Sequence, residues 1–331
     1  MPTRTPATDA KYRDRARQYE ASASRAAGRK LSPIEVASHL MTRTDLAYDS
    51  FRQNRASLVA VWEEIANLSP ENASECRAAI KLMYTPREKL KPEPKRQLRT
   101  SQCKQKGIED ELDRICYAAL ATKSPNRQSL VAYLQAGTLA GARFTEWPTA
   151  NFGPAQVTGF KFQLTFANGK QGNGRAHGER RTLLWEDLPA DQVRFLTMWI
   201  ETSAKAAQEG RYETLHDTLG DFMLRVTKKL FRKDKQRRPT LSSVRDAAVA
   251  RWKQTYVKEA ETEEAKQLGR AVVAALMGHA SDESATKHYA RARKGGGKYP
   301  TPRADPAEVA SVLRRYSTPH FAGDDPAPPS L

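Results

Sequence analysis

Phe160-Lys161-Phe162-Gln163-Leu164-Thr165-Phe166 alternates apolar and polar side chains without a break. Successive side chains leave a strand on opposite faces, so strict alternation marks a half-buried strand. Asn168-Gly169-Lys170-Gln171-Gly172-Asn173-Gly174 follows as a polar, glycine-rich turn, and Arg181-Thr182-Leu183-Leu184-Trp185 returns as a second strand. Together they predict a β-hairpin with Lys170 near its tip. The segments on either side carry a helical period instead. The expected fold class is therefore mainly α with a small antiparallel β-sheet, an α+β arrangement.

Upstream, Ile108, Leu112, Ile115, Cys116 and Leu120 fall on one helix face. Ser124-Pro125 caps the next helix, which runs through Leu130, Tyr133, Leu134 and Leu139 into Ala140-Gly141-Ala142-Arg143-Phe144-Thr145-Glu146. Small residues beside an arginine let backbones pack closely while the guanidinium projects. Taken alone, a plain pairing of Arg143 with Glu146 is the better reading. Downstream, Val193, Leu196, Trp199 and Ile200 mark one helix, residues 215–230 another, and Arg245 opens a third. The polar run from Lys253 to Lys266 reads as a long exposed insertion. Val272, Val273, Ala275, Leu276 and Met277 then form an apolar helix end that stops at Gly278, a residue suited to a left-handed C-cap. His279 stands at that turn. Ser281-Asp282-Glu283 reads as the cap and acidic first turn of a new helix carrying Tyr289. By itself this last stretch reads as a helical hairpin with a packed tyrosine sooner than as part of an active site.

These segments define a domain over residues 108–298. Ahead of it, residues 85–107 place Pro86, Pro92 and Pro94 among eight basic side chains, the composition of an extended basic linker. Residues 31–84 read as a small helical domain. It is opened by Ser32-Pro33-Ile34-Glu35 as a capping box with proline at the first helical position, and Ser69-Pro70-Glu71 supplies a further cap. Residues 1–30 are a basic N-terminal tail, either a loose helix or a segment without structure until a polyanion arrives, and in role a solvated tail or a DNA-gripping arm. Residues 299–331 follow a Gly295-Gly296-Gly297 hinge as a C-terminal tail. It contains one short helix capped by Asp305-Pro306-Ala307-Glu308. That helix can pack on its own domain or on a neighbouring copy.

The 331 residues carry 55 Lys+Arg against 38 Asp+Glu, a formal net charge of +17 that favours a polyanionic partner. No apolar run reaches membrane-spanning length, and the start, Met1-Pro2-Thr3-Arg4-Thr5-Pro6, lacks the apolar core of a signal peptide. Cys76, Cys103 and Cys116 show neither disulfide nor metal spacing, which fits a reducing cytosol and argues against a metalloenzyme.

Taken in chain order, Arg143 within 140–146, Lys170 in the hairpin, Arg245, Leu276-Met277-Gly278-His279 and then Tyr289 form a pattern that resembles the tyrosine recombinases, the phage integrase family. That family shares its catalytic fold with type IB topoisomerases. The likeness covers about Ile108 to Arg293, and the helical domain before it takes the place of a core-binding, DNA-binding domain. Lys161 and Arg175 lie close enough to Lys170 to compete for its place. Two positions depart from the usual pattern: Ser242 stands where a histidine is usual, and Asp246 where a histidine is frequent.

The resemblance implies a site-specific DNA recombinase that cuts and rejoins strands through a 3′-phosphotyrosyl intermediate. Tyr289 would be the nucleophile, and Arg143 and Arg245 the clamps on the non-bridging oxygens. Lys170 would protonate the departing 5′-oxygen, and His279 would hydrogen-bond the phosphate or accept the tyrosine proton. Ser242 would occupy the usual histidine's place. The covalent link conserves the phosphodiester's energy, so no cofactor and no metal are implied. The implied partner is double-stranded DNA, bound by a tetramer across two sites, with a monomer in free solution, no membrane, and a cytoplasmic, nucleoid-associated location. Two alternatives stand beside this reading: a recombinase-like DNA-binding protein without turnover, and a type IB topoisomerase.

Overall fold

The computed structural model describes residues 6–46, 48–85, 108–169, 176, 178–232, 238–279 and 299–317. The chain divides into two compact units, Met1–Gln97 and Leu98–Leu331. Mainly helical structure is joined in the second unit by a four-stranded antiparallel sheet. No described helix is long and apolar enough to cross a membrane.

The first unit contains α1 (Pro6–Ala27), α2 (Pro33–Thr42), α3 (Tyr48–Leu68) and α4 (Pro70–Met83). The capping box at Ser32 forms as expected, with the Glu35 carboxylate accepting the Ser32 N–H at 2.9 Å. Of the two readings of residues 1–30 the helix is the one that forms, over Pro6–Ala27, and it is packed into a core where a loose tail was expected. Ala16, Tyr19 and Ala23 recur at helical spacing on α1 and are buried in one core with Val36, Leu40, Phe51, Leu58, Trp62 and Met83. Two alanines on that stripe let α1 lie close to α3, where Arg13 chelates Glu64 at 3.1 and 2.8 Å. Trp62 Nε1 also donates to Glu20 Oε1 at 3.2 Å. Charge dominates the composition of this stretch, but three small or aromatic residues at the right spacing suffice to fold it.

The second unit opens with α5 (Ile108–Leu120) and α6 (Arg127–Ala140), followed by a 3-10 turn (Phe144–Thr149). The sheet comprises β1 (Asn151–Pro154), β2 (Phe162–Ala167), β3 (Arg180–Trp185) and β4 (Arg303–Ala304), in that order across it. The expected hairpin is β2–β3, in a register that pairs Phe162 with Trp185, Leu164 with Leu183 and Phe166 with Arg181. Leu164 and Phe166 therefore share the buried face with Leu183, and Arg181 lies on that face too. Beneath it, Trp147 meets Phe166 edge-on at 5.3 Å, and Tyr133, Phe144 and Trp199 form a mutually tilted cluster.

Helices α7 (Ala190–Gln208), α8 (Tyr212–Leu230), α9 (Ser243–Lys253), α10 (Glu263–Leu276) and α11 (Pro306–Ser317) complete the unit. Two further readings are corrected. The polar run 253–266 is exposed at 258, 259 and 261–265 as expected, but it is not a looped-out insertion, because α9 passes directly into a π-helical turn at Gln254–Lys258. Thr262 then caps α10 by accepting the Ala265 N–H at 3.1 Å. The turn lies so close to α10 that a Cβ on Gly269 would meet the Tyr256 carbonyl oxygen at 1.8 Å. Nor are residues 299–317 a tail. β4 pairs with β3, and Tyr299, Ala304, Val309 and Val312 are buried in the unit's own core, with α11 packed on α10. Asp305 caps α11 as read, accepting the Ala307 N–H at 2.8 Å. Linker residues 86–107, the Ser281–Glu283 helix start, the glycine hinge at 295–297 and residues 318–331 lie outside the described residues.

Candidate active site

Two helix ends carry the outer side chains of the site, and both turn on glycine. Gly141 ends α6 at φ 60°, its N–H bonded to Gly137 O at 2.8 Å, and the chain leaves toward Arg143. Gly278 ends α10 at φ 70°. There the N–H of His279 reaches Ala274 O at 2.8 Å and that of Gly278 reaches Ala275 O at 2.8 Å, a paired closure that leaves His279 just past the end. The C-cap reading of Gly278 therefore holds. A side chain at either position is blocked twice, by the left-handed backbone and by close neighbours: Trp252 beside residue 141 and Asn168 beside residue 278.

Arg245, in the first turn of α9, ties these two ends together. Its Nη1 donates to Gly141 O at 2.5 Å and its Nη2 to Met277 O at 3.1 Å. A helix C-terminus exposes carbonyl oxygens and partial negative charge, so one guanidinium satisfies two such ends at once. Residues separated by more than a hundred positions thereby converge. Arg143 Nη2 lies 2.9 Å from His279 Nε2.

Beneath them lies an acid between arginines. Glu146 is buried, and its Oε1 accepts from Arg143 Nη1 at 2.6 Å while its Oε2 accepts from Arg181 Nη2 at 2.7 Å. The Arg143 backbone N–H adds a further bond at 2.6 Å, and Arg245 Nη1 stands 3.8 Å from the same carboxylate. Arg143 therefore does pair with Glu146, and that pairing is one edge of a larger cluster. Burial by itself would raise the Glu146 carboxyl. The charges of Arg181 and Arg245, the Arg181 hydrogen bond and the charge of Arg143 outweigh it and hold the group well below the carboxylate range. His279 is pulled down to about 3, by burial first and then by Arg245, Arg143 and Arg181. The ring is therefore neutral at physiological pH, with its Nε2 lone pair turned to Arg143.

The described residues thus bring Arg143, Arg245 and His279 into one cluster. Arg143 keeps 19% of its side chain accessible, against 6% for Arg245 and 0% for Arg181, so Arg143 is the member most open to solvent. Ser242 lies on the exposed N-terminal rim of α9, its Oγ 3.1 Å from Thr240 Oγ1. Lys170, with its competitor Arg175, and Tyr289 lie outside the described residues. Lys161 is bonded to Asp187 at 3.1 Å.

Sequence reasoning missed Arg181 and Asn168. The signal for Arg181 was present: it shares strand parity with Leu183 and Trp185, so a charge had to enter the core. Arg251, a further buried arginine, serves packing. It pairs with Glu109 and donates to Thr138 O at 2.9 Å and Leu139 O at 3.3 Å. No family model and no curated protein matches the chain.

Chemically, three guanidiniums around one carboxylate leave an excess of fixed positive charge beside a neutral imidazole. Such an arrangement suits a tetrahedral or pentavalent oxyanion. Planar donors grip its oxygens, and the imidazole can exchange a proton.

Proposed function

We propose that this chain is a tyrosine-type site-specific DNA recombinase, acting on double-stranded DNA through a covalent phosphotyrosyl intermediate. The observation that carries the reading is the convergence of Arg143, Arg245 and His279 from three distant parts of the chain, with Arg143 Nη2 2.9 Å from His279 Nε2. The net charge of +17 supports a DNA partner.

In this reading the Tyr289 phenolate oxygen attacks the scissile phosphorus. A P–O bond to tyrosine forms as the bond to the 5′-oxygen breaks. Lys170 supplies the proton that leaves with the 5′-hydroxyl, and the phenolic proton passes to a base for which the neutral His279 is suited. Arg143 and Arg245 neutralise charge developing on the non-bridging oxygens. The phosphate's own charge offsets the guanidiniums, so the His279 pKa rises from about 3 when DNA is bound. Attack by a 5′-hydroxyl from another strand reverses the step and exchanges strands. The assembly that does this is a tetramer on two DNA sites, formed from monomers at the nucleoid.

A nicked duplex drawn from the DNA flanking the gene tests the reading, because loss of the short cleaved fragment traps the intermediate. We expect a covalent protein–DNA adduct that Tyr289→Phe abolishes. No adduct, together with tight binding of the same duplex, would favour a DNA-binding protein without turnover. Ser242, exposed and bearing no imidazole, is the residue that motivates that second reading. Relaxation of supercoiled plasmid without sequence preference would favour a type IB topoisomerase instead.

A further inference from the structure

Arg181 is completely buried and cannot touch a substrate, yet it holds two parts of the site at once. One arm, Nη2, donates to Glu146 Oε2 at 2.7 Å. The other, Nη1, donates to Asn168 Oδ1 at 2.9 Å. Its guanidinium carbon lies 4.8 Å from the Phe166 ring centroid, so the side chain is also gripped from the β2 side.

Asn168 is equally committed. Its N–H donates to Glu179 O at 2.7 Å and its Nδ2 to Gly178 O at 2.8 Å, which closes the base of the β2–β3 hairpin. Its Oδ1 fills the space beside Gly278, where a Cβ would approach it to 2.0 Å. The amide therefore touches the helix end that delivers His279, and the arginine that holds the amide also holds the carboxylate that orients Arg143. The next residue, Gly169, donates its N–H to Glu146 Oε1 at 3.3 Å.

We propose that Arg181, acting with Asn168, is the positioning residue of this site. It sets the Glu146 carboxylate, and through it Arg143, in register with the Gly278–His279 turn and the base of the Lys170 hairpin. The proposal rests on the recombinase reading for its catalytic meaning. A charge clamp misplaced by about an ångström costs on the order of 100-fold in rate while leaving substrate binding intact. That is the signature expected on replacing Arg181.

The test uses full-length protein carrying Arg181→Lys or Asn168→Ala, each compared with wild type in three measurements. The first is single-turnover adduct formation across a titration of nicked duplex, which gives both the rate at saturation and the affinity. The second repeats it with a neutral methylphosphonate at the scissile position, and the third follows the His279 ring nitrogens by NMR. For Arg181→Lys we expect adduct formation to fall by about 100-fold with DNA affinity unchanged. The deficit should shrink on methylphosphonate, which has no anionic oxygens for misplaced arginines to miss. Asn168→Ala keeps the Arg181–Glu146 pair, so it carries the test if Arg181→Lys fails to fold, and its loss should be smaller and of the same kind. In both variants the His279 signals should move while those of His216, exposed on α8 with its Nδ1 3.0 Å from Asp217 Oδ1, stay in place. Wild-type rates in folded variants, equal losses on both substrates, or unmoved His279 signals would overturn the proposal. No adduct from wild-type protein would instead sink the recombinase reading, and the NMR arm would still decide whether Arg181 positions the site.

Discussion

The Arg143 guanidinium and the His279 ring face each other at 2.9 Å, Nη2 to Nε2, although 136 positions separate them in sequence. Arginine does not give up its proton, so the imidazole nitrogen must accept, and the ring proton resides on Nδ1. Burial and the charges of Arg245, Arg143 and Arg181 hold the ring down at about 3. Ring-nitrogen NMR should therefore find the neutral Nδ1–H form throughout neutral pH. A His279 titration near the ordinary 6.5 would place the ring outside the cluster. The same shift sets a direction for stability. Below about 6.5 the unfolded chain takes up a proton that the folded one refuses, so stability is lost as pH falls from there toward 3. Per pH unit the loss is at most about 1.4 kcal/mol, and His279→Gln should remove it from the denaturation profile.

Gly278 permits a second, sharper comparison. Gly210 has nearly the same backbone, φ 66° against 70°, but open space where a Cβ would lie, whereas residue 278 faces Asn168 Oδ1 at 2.0 Å. Gly210→Ala should cost only the left-handed backbone penalty, about 1–2 kcal/mol. Gly278→Ala should cost clearly more in the same denaturation experiment and should shift the His279 resonances. Equal costs would mean that Asn168 yields freely and does not define the turn.

How much of this was legible beforehand follows the range of each force. The β2–β3 hairpin, the Ser32 capping box and the Gly278 cap were readable because alternation and capping are local. The packing of α1 was not legible because five basic residues (Lys11, Arg13, Arg15, Arg17 and Arg25) hide the stripe of Ala16, Tyr19 and Ala23, whose partners on α3 lie some forty residues away. The β4–α11 segment looked like a tail because a two-residue strand carries no alternation to detect. In the site, Arg143, Arg245 and His279 stand out only through the resemblance to the tyrosine recombinases, because their flanking small residues and glycines fit ordinary helix packing just as well. The role of Arg181 depends on Glu146 and Asn168 meeting it, which only tertiary packing reveals.

Glu146 is the counter-charge on which the arginines depend. Glu146→Gln keeps the shape but removes the charge, which leaves Arg181 buried without its carboxylate partner. Removing one member of a buried pair typically costs about 3–5 kcal/mol, and a loss of that order is expected in chemical denaturation. Inorganic phosphate should then raise the variant's melting temperature more than the wild type's, because an anion can restore the missing charge. A variant as stable as wild type, with no response to phosphate, would show that the cluster does not rely on this acid.

Glu308 supplies a titration of opposite sign in the same unit. It lies in the first turn of α11, and its carboxyl is pushed up to about 8 by burial, against the hydrogen bonds from Thr182 and the charge of Arg181, with Asp305 adding to the rise. Between about 4.3 and 8 the unfolded chain has lost this proton while the folded chain retains it. Stability therefore falls as pH rises through that window, by at most about 1.4 kcal/mol per pH unit. Glu308→Gln preserves the neutral form's size and hydrogen bonding. It should match wild type at pH 4 and exceed it increasingly up to pH 8, the reverse of the trend tied to His279. Both profiles can be read from one pH series of denaturant midpoints on three proteins. If Glu308→Gln runs parallel to wild type across the series, α11 does not hold a neutral acid against β3.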